Sequence, residues 1–215
     1  MDKYVNLNFK NSALITVDVQ KDTLDGQPFE IQGISNALPH MKQLLDTYRA
    51  YKLPVIHIVR IYKADRSNVD LCRMKLIEEG NPILEENSPG AELAEELFDD
   101  DSIRINSKLL LSGGIQKITE NEVIIYKPRW GAFYNTPLQE YLQRLKVGAL
   151  VFTGCNYPNC PRTSIYEASE RDYRVVVAED ALSGCYARGI KEMENIGVLV
   201  DTTENIVHMV RDQMD

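Results

Sequence analysis

A doubly wound α/β fold, with a mostly parallel six-stranded sheet and helices on both faces, is what this 215-residue sequence predicts. Short, β-branched apolar runs alternate with helical patterns along the chain, which is how a parallel sheet covered on both sides is written. A hydrophobic content of 44% is enough to fill such a core. One domain spanning 1–215 is the simplest organisation.

The first strand is expected at 13–17. An irregular stretch containing Gly26, Pro28 and Gly33 follows, and then Ile34, Leu38, Met41, Leu45 and Tyr48 recur at steps of four and three, one face of a helix. The second strand is expected at 54–59, and a short acidic helix at 93–98 after Pro89-Gly90. Residues 99–122 break the alternation, with an acidic run, then Leu109-Leu110-Leu111 and Gly113-Gly114. They are read as an insertion forming a small hairpin. Glu95, Glu96, Asp99, Asp100 and Asp101 read as a solvated face. The third strand is expected at 123–126. Thr136-Pro137 resembles a cap and first-turn proline opening a helix with Leu138, Tyr141, Leu142 and Leu145 inward. Strands at 149–152, 175–178 and 198–200 complete the sheet, with helices after Cys160 and at 190–196.

Composition excludes several classes. A formal net charge of -8 with scattered basic residues argues against nucleic acid as a partner. The N-terminal residues Met1 to Asn6 lack an apolar signal core, and no run approaches the roughly 18 apolar residues of a membrane span. A soluble, cytoplasmic protein is expected, with Cys72, Cys155, Cys160 and Cys185 as reduced thiols.

Ligands in open parallel sheets collect beyond the carboxyl ends of the strands, so residues just past each strand are functional candidates. Asp18 follows the first strand as an acid set among apolar neighbours, able to take a proton. Lys127 follows the third, and its cation suits either an ionised Asp18 or a thiolate. Cys160 follows the fourth, at the mouth of a helix that Pro161 opens, where backbone NH groups and the macrodipole favour thiolate. Singly, each has a structural reading as loop cap, ion-pair partner or core filler. Trp130, Phe133 and Tyr157 are candidate apolar walls of a substrate pocket. Arg60, Arg73, Arg129 or Arg162 could pair with a substrate carboxylate.

The segments Val17-Asp18-Val19-Gln20, Lys127-Pro128-Arg129-Trp130-Gly131-Ala132-Phe133, and Gly154 followed six residues later by Cys160 resemble the isochorismatase-like cysteine hydrolases. The resemblance spans nearly the whole chain. It implies a catalytic triad of Asp18, Lys127 and Cys160, a cis peptide bond between Cys155 and Asn156, and an oxyanion hole from the backbone NH groups of Asn156 and Cys160. It further implies a homo-oligomer, dimer or tetramer, acting on a small molecule without a cofactor.

Metal-dependent nicotinamidases of that family carry an Asp-x-His and a further histidine near the second strand. This chain has only His40, His57 and His208, and no metal is expected. A cysteine at position 160 favours cleavage of an amide, ureido or lactam-like carbon-nitrogen bond through a thioester. A vinyl ether hydrolase or a non-catalytic binding subunit is the alternative. Cys155 reads as inert packing rather than a resolving thiol.

Overall fold

The computed structural model describes residues 6–99 and 102–215; the expectations for residues 1–5, Asp100 and Asp101 lie outside them. Seven strands form one sheet: β1 (Ser12–Val17), β2 (Val55–Val59), β3 (Ile115–Lys117), β4 (Glu122–Tyr126), β5 (Ala149–Gly154), β6 (Arg174–Leu182) and β7 (Leu199–Asp201). Their order is β3-β4-β2-β1-β5-β6-β7. All neighbours are parallel except β3 and β4, which pair antiparallel with Ile115 opposite Ile125.

The period-2 geometry of a strand sends successive side chains to opposite faces, so a sheet covered twice needs apolar residues at every position. β1 meets that demand except at Ser12 and Thr16, whose buried hydroxyls hydrogen-bond with Tyr48 and His57. Leu14 enters one core with α1 (Ile34–Ala50) and α7 (Thr203–Met214), while Ala13, Ile15 and Val17 enter the other. That second core also takes α4 (Leu138–Arg144), α5 (Cys160–Ser169) and Met193 of α6 (Ala187–Glu194). Each fully buried leucine or isoleucine contributes about 2 kcal/mol, and β5 repeats the pattern with Ala149 and Val151 against Leu150 and Phe152.

Four sequence expectations change. The sheet has seven strands rather than six, because residues 102–122 supply α3 (Ser107–Leu111) and the edge strand β3, whose short Ile-Gln-Lys sequence carries no apolar run. The acidic helix expected at 93–98 shrinks to a 3₁₀ turn at Glu95–Leu97. Leu93 instead bridges Gln20, and the Ala94 NH donates to Val19 O at 3.1 Å, which holds the segment extended. Besides α3, two helices went unread. One is α2 (Leu71–Glu78), which buries only Ile77 and leaves Leu71 exposed, so it has no inward stripe to find. The other is α7, capped by the Thr202 hydroxyl and burying Ile206, Val207 and Val210.

Candidate active site

The sheet changes winding direction at β1, and the carboxyl ends of β1, β4 and β5 deliver Asp18, Lys127 and the Cys160 loop to the same edge. Backbone hydrogen bonds set each exit. Asp18 N donates to Ile58 O at 2.9 Å, Lys127 N to Val59 O at 3.0 Å, and Cys155 N to Val17 O at 2.9 Å. Gly154 makes the last approach possible. Its φ is +123°, and a Cβ there would lie 2.2 Å from Val17 O, so only glycine lets the end of β5 lie against β1. Asp18 itself has a φ of +55°, a left-handed conformation that aspartate tolerates better than most residues. The Cys155 thiol steadies it by donating to Asp18 O at 3.0 Å.

Lys127 Nζ lies 2.8 Å from Asp18 Oδ2, and the lysine is buried to 1% exposure. Burial disfavours its cation, but the Asp18 carboxylate beside it outweighs this and moves its pKa up. Asp18 Oδ1 is buried and accepts no hydrogen bond among the described residues, which leaves one carboxylate oxygen free. Cys160 opens α5, with Pro161 as the second helical residue, one position later than the sequence suggests. Its thiol is not poised as a thiolate in the resting protein, contrary to expectation. Burial first, and then the Asp18 charge, push the thiol up to about 12 against the pull of Lys127.

These three residues, with Asn156 and Asn159, line one crevice. The Cys155–Asn156 peptide bond is cis. Trp130 belongs to the wall as expected. Phe133, Tyr157 and Arg162 do not, and their partners explain why. Phe133 packs in the core against Tyr173, with ring centroids 5.9 Å apart. Tyr157 is fully buried and donates its hydroxyl to Gly189 O at 2.6 Å. Arg162 is engaged by Glu192 and the Tyr186 hydroxyl. Phe29, Ile31 and Leu84 supply wall the sequence did not reveal, since they come from loops without periodicity.

The histidine nearest the second strand has a structural role. His57 is fully buried, with Nδ1 2.8 Å from Thr16 Oγ1 and Nε2 2.8 Å from Glu122 Oε1. Glu122 in turn accepts two bonds from Arg49, at 2.7 and 3.0 Å. Among the described residues no three His, Cys, Asp or Glu side chains are grouped to hold a metal ion. No helix among them is long and apolar enough to cross a membrane.

The isochorismatase-domain profile matches residues 12–113 and 114–205. The chain belongs to the isochorismatase family. Within it, the chain is 29% identical over 202 residues to a protein of Arabidopsis thaliana named "Probable inactive nicotinamidase", covering 90% of this chain and 93% of that one. It is 25% identical over 189 residues to a ureidoacrylate amidohydrolase of Cronobacter sakazakii, covering 80% and 74%. A crystal structure of an isochorismatase family protein from Desulfovibrio vulgaris superposes with a TM-score of 0.78 at 28% identity, covering 94% and 98%.

Proposed function

We propose that this isochorismatase-family chain is a hydrolase that cleaves a carbon-nitrogen bond of a small amide, ureido or lactam-like compound through a cysteinyl thioester. The observation that carries the reading is the buried Asp18–Lys127 pair, 2.8 Å apart, in the crevice that holds the Cys160 thiol. The kinship with a ureidoacrylate amidohydrolase supports the same bond class.

Burial and the Asp18 charge raise the thiol well above its ordinary range and so favour its protonated form at pH 7. The proton must therefore leave as the sulfur attacks. Asp18 Oδ1, free of hydrogen bonds among the described residues, receives it, while the Lys127 ammonium steadies the growing sulfur charge. Attack on the carbonyl carbon pushes its electron pair onto oxygen. The backbone NH groups of Asn156 and Cys160 receive that oxyanion, each worth about 3 kcal/mol to the transition state. Collapse of the tetrahedral adduct breaks the carbon-nitrogen bond, and Asp18 returns the proton to the departing nitrogen. The thioester is then hydrolysed by a water whose proton goes to the same carboxylate. The acid departs, and the thiol is restored.

The test is ammonia or amine release from a panel of amides, ureides and carbamoyl compounds, with Cys160→Ala as control and acid-quenched protein examined by mass spectrometry. Turnover by the wild type, none by Cys160→Ala, and an acyl mass on the Cys160 peptide are expected. Equal release by both proteins refutes the reading. Full activity of Cys160→Ala on a vinyl ether would assign the chain to that chemistry instead.

A further inference from the structure

We propose that Arg73, held between Phe29 and Trp130 in the crevice wall, binds an anionic group of the substrate, so that the hydrolysed compound is a small carboxylic acid. The inference rests on the hydrolase reading above and adds the substrate class.

The charges of the crevice do not cancel. Its ionised lining residues are the cations Arg60, Arg73, Lys127 and Arg129 and the carboxylates Asp18 and Asp70. Asp18 is taken by Lys127 at 2.8 Å, and Asp70 by Arg60 at 2.7 Å and Arg129 at 3.6 Å. Arg73 has no carboxylate partner and no side-chain hydrogen bond among the described residues; its contacts are ring faces. In a chain of net charge -8, a cleft with surplus positive charge concentrates anions where the protein as a whole repels them.

The placement of Arg73 suits a carboxylate. Its guanidinium carbon sits 4.5 Å from the Phe29 ring centroid and 5.4 Å from that of Trp130, so the rings restrain the group while its NH edge stays unpaired. A restrained planar fork binds a carboxylate through two parallel hydrogen bonds and loses little conformational freedom in doing so. The helix that carries it is anchored at the crevice end. Asp70, at the N-cap of α2, does not cap the helix but accepts from Arg60 Nη2 at 2.7 Å and the Tyr62 hydroxyl at 2.8 Å, and its carbonyl accepts from Arg73 N at 2.8 Å. Ile31 and Leu84 offer apolar wall for the rest of such a molecule.

Trp130 is the protein's single tryptophan, so its fluorescence reports on this site without any turnover. Cys160→Ala protein is titrated with malonamate, succinamate and glutaramate, and with the matching diamides malonamide, succinamide and glutaramide. A saturable response to at least one acid, at least tenfold tighter than its diamide, is expected. In Cys160→Ala/Arg73→Ala the acid binds at least tenfold more weakly, and Arg73→Lys recovers part of the loss; far-ultraviolet circular dichroism verifies the fold. In protein with Cys160 intact, Arg73→Ala lowers the kcat/KM ratio of acid to diamide at least tenfold, mainly through KM. Equal binding of acid and diamide, undiminished acid binding without Arg73, or no response to any acid overturns the anion site. None of those three results touches the thioester chemistry, which fails only if Cys160→Ala remains active.

Discussion

Replacing Asp18 with asparagine should make Cys160 more reactive towards an alkylating agent while abolishing hydrolysis. In the native crevice the thiol is pushed up to about 12 by burial and by the Asp18 carboxylate, against the pull of Lys127. A unit charge at about 4 Å in an effective dielectric of about 20 is worth roughly 4 kcal/mol, or about 3 pKa units. Asp18→Asn removes that charge and leaves the buried Lys127 ammonium without its partner at 2.8 Å, so the sulfur becomes the nearest available counter-ion. About 10³-fold more thiolate, with nucleophilicity falling by about 0.45 log units per pKa unit, nets an acceleration of roughly 45-fold. Iodoacetamide labelling at pH 8, read by mass spectrometry of the Cys160 peptide with exposed Cys72 as internal reference, measures it. Amide turnover should fall by about 10²- to 10⁴-fold in the same protein, since no base remains. Labelling of Cys160 no faster than in the wild type would refute the electrostatic argument.

Two further predictions concern the scaffold. Burial opposes the Glu122 charge, but His57 and Arg49 hold its carboxyl down from 4.5 to about 2, so the stabilisation it gives is complete above pH 4.5 and is lost as pH falls towards 2. That loss is about 2 kcal/mol by pH 3; urea unfolding at pH 7 and pH 3 should show Glu122→Gln less acid-sensitive than the wild type by that amount, and equal sensitivity would contradict it. Gly154→Ala places a Cβ 2.2 Å from Val17 O at a φ of +123°, which should cost on the order of 3 kcal/mol and also disturb the site, because the same contact sets Cys155 against β1. Thermal unfolding and turnover read the two effects, and unchanged values in both would show that the strand ends do not need this approach.

The sheet and the convergence of Asp18, Lys127 and Cys160 at one edge were legible because each rests on a strong local signal. A run such as Ala149 to Phe152 is apolar at every position because both faces are covered, and the residues beyond such runs reach one edge by topology alone. The crevice walls were harder to read. Phe133 and Tyr157 lie close in sequence to Lys127 and Cys160, but packing turned both into the core, and proximity along a chain does not set side-chain direction. Arg162 had a partner in Glu192, thirty residues away and invisible until α5 and α6 were in place. The ionisation of Cys160 was misjudged for a related reason. The helix start is a local feature, whereas burial and the Asp18 charge come from the assembled fold and act more strongly.

Asp18, Lys127 and Cys160 hang from three strands of a single sheet, whereas Phe29, Arg73 and Leu84 are carried by α2 and the surrounding loops. On the function proposed above, reaction and selection of the reactant are built from different materials. Substitution in these loops and in α2 would then retarget the chain to another small molecule while the proposed bond-breaking apparatus is inherited unaltered, so related chains with the same acid, amine and sulfur need not share a metabolite.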